Sequence, residues 1–434
     1  MRFIERMSSC FLHPLKCDVF DIFAGMDYQL HTLSNGIRII FKAGLTNISH
    51  SCMIINAGSR DEKPGKSGLA HFIEHLLFKK TEKRSTSQIL NRLELVGGDL
   101  NAYTTKEYTC LHASFLTPHL ERSLDLFEDL VFHSLFPEDE MLKEKEVILD
   151  EISSYEDQPD EAVNDDFENL IFEGHSLGQN ILGTPDSVKS FSREDIDDFR
   201  NSNYRTDEMI IGIIGNYDFK KLIRVAEKVF SKVPANRVQR EREPVNGYHP
   251  QTQAFEKPIN QSHCVMGNRS YSSHHPYKVA FLLLNNLFGG TGMSSRLNLE
   301  IREKHGIAYT IESNFTPMSD TGIFSIYFGT DSVKIKKATN LVYKEMDKLQ
   351  TKLLGTIQLY QAKQKFIGQI ALGEENRIGL IISIAKSLLD YGRVDSLEEV
   401  FAKINAVTAS EIMEISNHMF DRQQLSTLLF EPAE

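Results

Sequence analysis

The stretch "YQLHTLSNGIRIIF", residues 28–41, sets two β-rich runs on either side of Asn35-Gly36. Asn-Gly accepts positive φ at both central turn positions, so the spacing predicts an antiparallel hairpin. Downstream, "SHSCMIINAGSRDE" predicts a buried strand ending at Gly58, and helical periodicity takes over at about Leu69. A second helix is expected from about Ser85 to Val96, closed by Gly97-Gly98. "LNAYTT" and "EYTCLHASF" predict two more strands. Helices near 117–134, 138–157 and 161–173 follow, then the strand "EMIIGIIG" and a helix at about 218–230.

Hairpins beside long helices predict an α+β fold, and 434 residues exceed one typical hydrophobic core. Two similar domains are therefore expected, each an antiparallel-rich mixed sheet with helices packed on one face. The stretch "VPANRVQREREPVNGYHPQTQ" is polar, charged and interrupted by Pro234, Pro244 and Pro250, as a linker would be. The expected division is a poorly ordered extension at 1–27, a first domain at 28–232, a linker at 233–255 and a second domain at 256–434. The second half repeats the style of the first, with strands near 261–271, a helix at 276–288, strands at 307–329 and helices to the end. A short echo joins "ISHSCMIINAGSR" to "QSHCVMGNRS", near the start of each half.

The formal net charge of −12 argues against a nucleic-acid partner, which needs a basic footprint. No apolar run approaches the roughly 18 residues of a membrane span, so no membrane partner is expected. Five scattered cysteines without CxxC spacing suggest neither a disulfide framework nor a thiolate metal site, and fit a reducing compartment.

"GLAHFIEHLLF", residues 68–78, carries the chemistry. On a helix, Leu69, Phe72, Ile73, Leu76 and Leu77 gather on one side, and His71, Glu74 and His75 on the other. Histidines four apart present both imidazoles to one point, the spacing by which a helix grips Zn²⁺; HxxEH is the inverted order of the HExxH zinc-protease motif. A catalytic zinc site needs a third ligand, usually a carboxylate. "MLKEKEVILDEISSYEDQPDE" offers Glu144 and Glu151, seven apart and so on one helix face, among other acidic residues.

"GLAHFIEHLLFKKTEKRS", "GGDLNAYTTKEYTCLHASF" and "KEVILDEISSYEDQPDE" together resemble the pitrilysin/insulinase family of zinc metallopeptidases, in particular its short-subunit branch related to mitochondrial processing peptidase. The resemblance implies that Glu151, 76 residues after His75, completes a ligand set with His71 and His75 for one Zn²⁺ per chain. It implies Glu144 as a support to that site and Glu74 as general base in peptide hydrolysis. It makes Asn101, Ala102 and Tyr103 part of an edge strand that pairs with an extended peptide substrate. In "SSRLNLEIREKHGIAYTIES" it points to Arg302 and Tyr309 as contacts to the substrate and the transition state. It further implies a closed chamber that takes peptides or unfolded segments, assembled as a homodimer in which Arg302 and Tyr309 act in trans, or as a heterodimer with a metal-free homologue. A non-proteolytic or partner-dependent subunit of a processing complex is the alternative. Relatives of this kind are cytoplasmic or organellar, and a bacterial-like cytoplasm is the expected setting.

Overall fold

The computed structural model describes residues 28–433, so the expectation for residues 1–27 lies outside the described residues. The first half runs β1 (Tyr28–Thr32), β2 (Arg38–Ala43), β3 (Ile48–Ile55), α1 (Leu69–Leu77), α2 (Thr86–Glu94), β4 (Asp99–Thr104) and β5 (Thr109–Leu116). It continues with α3 (Leu120–His133), α4 (Glu138–Glu156), α5 (Pro159–Ile171), α6 (Pro185–Ser190), α7 (Arg193–Asn203), β6 (Met209–Gly215) and α8 (Phe219–Phe230). The second half opens with β7 (Thr252–Lys257), β8 (Ser262–Arg269), α9 (Lys278–Phe288), a π-helix at Asn298–Lys304, β9 (Ala308–Pro317) and β10 (Gly322–Thr330). It ends with α10 (Ile335–Thr351), α11 (Thr356–Gly373), α12 (Arg377–Tyr391), α13 (Leu397–Ala406), α14 (Ala409–Met419) and β11 (Ser426–Pro432).

The expected hairpin is there: β1 and β2 pair antiparallel from Tyr28↔Lys42 to Thr32↔Arg38. Gly36 turns the chain at φ +102°, a conformation that a residue with a Cβ adopts only under strain. The first sheet has six strands in the order β1-β2-β6-β3-β5-β4, and the second has five in the order β7-β11-β8-β10-β9.

The two sheets share one wiring. β2 lies parallel to β6, as β7 does to β11, and the remaining equivalent pairs are antiparallel. β3 and β8, which hold the short sequence echo, occupy equivalent central places. β4 and β9 are the equivalent edge strands.

Helices cover both sheets in a reciprocal way. On one face of the first sheet, Ile39, Phe41, Met53, Ile211 and Ile213 pack against α1, α3 and α8 through residues such as Phe72, Phe127 and Phe230. The opposite face presents Ile40, Cys52, Ile54, Ile210 and Ile214, and here α12 from the second half supplies Ile381, Ile384, Ala385 and Leu388. Both faces of β6 are thus buried, which explains its uninterrupted apolar run "MIIGIIG". Gly212 makes room for the Ile381 side chain of α12, since a Cβ there would stand 2.8 Å from both Cys52 Sγ and Ile381 Cγ1.

In return α5 lies on the second sheet. Val163, Phe167, Leu170 and Ile171 bury against Val265, Ile323, Tyr327, Leu428 and Phe430. Each half therefore covers the back of the other's sheet. The α+β class with two similar domains holds, and the exchanged helices add a second cover to each sheet.

Three segments differ from expectation. β7 begins at Thr252, inside the stretch read as linker. The chain ends in a strand where helices were expected, and β11 inserts between β7 and β8 with Leu428 and Phe430 inward. Most of the linker is exposed, but its Arg240 and Arg242 are not solvated. Arg242 makes two 2.9 Å bonds to Asp61, and Arg60 joins Glu107 at 2.8 Å and Asp320 at 2.7 and 2.6 Å. Asp320 and Ser319 sit in the β9–β10 turn and Glu107 in the β4–β5 turn, so this ion cluster joins the two edge hairpins at their tips.

Candidate metal centre

Helix α1 starts at Gly68, φ +90°, where a Cβ would collide with Leu182 O at 2.6 Å. The buried Glu62 carboxylate caps it, accepting from Gly68 N at 3.0 Å and Ala70 N at 2.8 Å. Burial pushes this carboxyl up to about 8, against the pull of those two N–H groups. Leu69, Phe72, Ile73, Leu76 and Leu77 then anchor the helix in the main core. The polar face is left toward α4, which is itself fastened by Met141 and Ile148.

Between the two helices the donors converge. His71 Nε2 lies 3.9 Å and His75 Nε2 3.8 Å from Glu151 Oε2. One ligand atom from each of the three residues falls within 4.8 Å of the others, and among the described residues no other group of three does so. The two imidazoles cross at 67° with centroids 4.5 Å apart. Burial, aided by His75, pushes His71 down to about 3, so its ring is neutral at physiological pH and keeps a lone pair for a metal. His71 Nδ1 is buried with no hydrogen-bond partner. Two imidazoles and one carboxylate on packed helices are the donor chemistry that zinc takes, so the residues fit the ion.

The neighbouring carboxylates differ in role. Glu144 is buried at 5% exposure and meets His75 Nδ1 at 3.2 Å, on the side away from Glu151. Glu74 is not a member of the donor group. It is buried beside the group, and Thr104 Oγ1 donates to its Oε2 at 2.7 Å. Burial raises the Glu74 carboxyl, the Thr104 bond opposes that rise, and Glu151 adds to it.

Thr104 was not singled out by the sequence reading, although strand alternation would have found it. Leu100, Ala102 and Thr104 share the β4 face toward α1, while Tyr103 packs on the opposite face beside Tyr108. Of the three substrate-strand residues, only Ala102 turns its side chain toward the metal face. All three nevertheless lie on a true sheet edge.

Arg302 and Tyr309 are not brought to this centre within one chain. Arg302 lies on the π-helix and stacks its guanidinium 4.8 Å over the Tyr309 ring on β9, which is 79% exposed. Among the described residues neither contacts His71, Glu74, His75 or Glu151.

Residues 39–185 match the family described as insulinase (peptidase family M16), and residues 190–366 match the peptidase M16 inactive domain. The chain belongs to the insulinase family. An uncharacterized zinc protease of Bacillus subtilis is 31% identical over 400 residues, covering 92% of this insulinase-family chain and 97% of that protein. One from Rickettsia bellii is 29% identical over 419 residues, covering 93% and 97%. A protease from Helicobacter pylori has the same fold, with a TM-score of 0.86 at 22% identity over 94% of this chain and 99% of that one. The two family matches do not follow the sheets: β6 belongs to the first sheet but lies in the stretch that matches the inactive domain.

Proposed function

We propose that this insulinase-family chain is a zinc-dependent endopeptidase acting on peptides or unfolded segments. The observation that carries the reading is the convergence of His71, His75 and Glu151, with the buried Glu74 carboxylate beside them. These three residues would hold the ion, and zinc when bound supplies a Lewis acid that polarises a peptide carbonyl and makes water more acidic.

Glu74 is the group that takes the proton from water and returns it to the leaving amine. A carboxyl raised by burial has a proton affinity suited to both transfers near neutral pH. The Thr104 hydroxyl holds one of its oxygens and so aims the other. The open edge of β4 offers unpaired backbone groups to which an extended peptide adds as a further strand, a mode that reads main chain more than sequence.

The separation of Arg302 and Tyr309 from the metal centre supports assembly in trans. In a homodimer, the Arg302–Tyr309 pair of one subunit faces the centre of the other and the two subunits close a chamber. Pairing with a metal-free homologue is the second reading, and it rests on the same separation. The buried thiols of Cys52, Cys110 and Cys264 suit a reducing bacterial-like cytoplasm. Among the described residues, no helix is long and apolar enough to cross a membrane.

The test is cleavage of an unstructured quenched-fluorescent peptide by the wild-type chain and by Glu74→Gln at matched zinc content. Cleavage by the wild type alone supports the mechanism. Equal cleavage by both removes Glu74 from it. Zinc-loaded wild type that cuts nothing favours the heteromeric reading.

A further inference from the structure

Lys79 stands four residues after His75, just past the end of α1. Its ammonium is 2.5 Å from Glu144 Oε1, while Oε2 of that carboxylate faces His75 Nδ1 at 3.2 Å. The Glu144 side chain is only 6% exposed. A carboxylate held through one oxygen can still swing about its terminal torsion, whereas one gripped at both oxygens has its plane fixed. Here the two grips come from residues 75 and 79, so α1 and the turn that follows it hold Glu144 at two points.

The geometry points to Lys79 as a positioning residue for the metal centre, acting through Glu144 on His75. This inference rests on the zinc reading above. Glu144 in this orientation accepts from His75 Nδ1–H, which leaves Nε2 unprotonated on the side of His71 and Glu151. Outer partners of this kind set ring orientation and ligand basicity. Removing the ammonium leaves a buried carboxylate without its cation and free to turn away from the imidazole.

The second half supplies an internal comparison. By its place in the wiring, α9 corresponds to α1, α11 to α4 and β9 to β4. Ser313 Oγ on β9 donates to Asn285 Oδ1 on α9 at 2.6 Å, as Thr104 on β4 does to Glu74 on α1. The next residue, Asn286, donates to Gln369 on α11 at 2.7 Å, where His75 faces the carboxylates of α4. The helix-to-helix and strand-to-helix links thus persist with amides in place of ionisable groups. Four residues after Asn286 stands Gly290, where Lys79 stands four after His75. The amide copy has no cation at this place; its α11 is tied instead to the loop after α9, where Lys365 Nζ donates to Ser294 Oγ at 3.1 Å. The cation beside the second helical position thus accompanies the ionisable site.

The experiment compares the full-length wild type with Lys79→Met, Lys79→Arg and, as a neighbouring control on an exposed side chain, Lys80→Met. Zinc affinity is read by competition with a chromogenic chelator, and melting is followed on the metal-free proteins. Lys79→Met is expected to bind zinc about tenfold or more weakly, and Lys79→Arg to recover within about threefold of wild type, the range of outer-partner losses. Lys80→Met should match wild type in both readouts, and metal-free Lys79→Met should melt lower because its buried Glu144 has lost its cation, so affinity is read well below both transitions. Unchanged affinity in Lys79→Met overturns the inference. So does a loss in Lys79→Arg as deep as in Lys79→Met, or a loss in Lys80→Met as deep as either. A wild type that takes up no zinc in the same titration is a separate outcome, and it removes the zinc reading itself.

Discussion

The hydroxyl of Thr104, on the open edge of the first sheet, donates to the buried carboxylate of Glu74 at 2.7 Å. One bond thus joins the strand proposed to receive the substrate to the group proposed to move the proton. Thr104→Val keeps the shape of the side chain and deletes the donor. A hydrogen bond to a charged group contributes about 1.5–3 kcal/mol, so turnover should fall by roughly one to two orders of magnitude. Zinc content should not change. Unaltered kcat in this variant would separate the strand from the proton transfer.

The in-trans arrangement makes a complementation prediction. Glu74→Gln and Tyr309→Phe should each be impaired alone. Mixing them under subunit exchange should restore cleavage, because a mixed dimer contains one centre with an intact Glu74 facing an intact Tyr309. No recovery after verified exchange would place both residues in one chain's site or remove Tyr309 from it.

At the ion cluster between the hairpin tips, burial acts to raise the Glu107 carboxyl, but Arg242, Ser319 and Arg60 outweigh it and hold the group below its ordinary value. A depressed carboxyl stabilises the fold above its unfolded pKa, and that stability is lost as pH falls through the folded value. Glu107→Gln should therefore destabilise the protein by about 3 kcal/mol near neutrality, since it leaves the buried Arg60 short of a partner. The penalty should shrink in acid, where the wild type is protonated too. Denaturant melts at pH 7 and pH 3.5 check this.

Asp165 on α5 carries the opposite sign. Burial, with Glu168 nearby, raises its carboxyl to about 6, against the pull of Lys106 and of the Asn180 amide that donates to it at 2.8 Å. A raised carboxyl contributes most below its unfolded pKa, and the contribution is lost as pH rises through about 6. Asp165→Asn keeps an acceptor for Asn180 and removes the buried charge. It should stabilise the protein at pH 7.5 by on the order of 2 kcal/mol and have little effect at pH 4. Equal effects at both pH values would show that the charge is not what matters there.

What was legible in advance follows from the range of each signal. Asn35-Gly36 and the two faces of "LAHFIEHLL" are local, since turn chemistry and helical angle act within a few residues. Ala102 came with the family resemblance, and strand alternation from it reaches Thr104, but only once α1 is known to lie over that strand face. The role of α12 was not readable at all: Ile381, Ile384 and Leu388 announce an apolar stripe and do not say which sheet receives it. Arg240 and Arg242 look like solvated linker because a charge in sequence does not reveal its partner, Asp61, which for Arg242 is 181 residues away. β11 was lost for a smaller reason, since "STLLFEP" is too short for periodicity to separate strand from buried helix.

The exchanged helices make the halves poor candidates for separate life. A fragment ending in the linker would keep β6 and present Ile40, Ile54, Ile210 and Ile214 to water with α12 gone, and its own α5 would have lost the sheet it lies on. Such a face invites aggregation. A protease nick in the linker should instead leave two pieces that stay bound and migrate together under native conditions. Co-expressed from separate reading frames, the halves should find each other, so the molecule is suited to use as a split protein whose reassembly is read by co-purification of the two pieces.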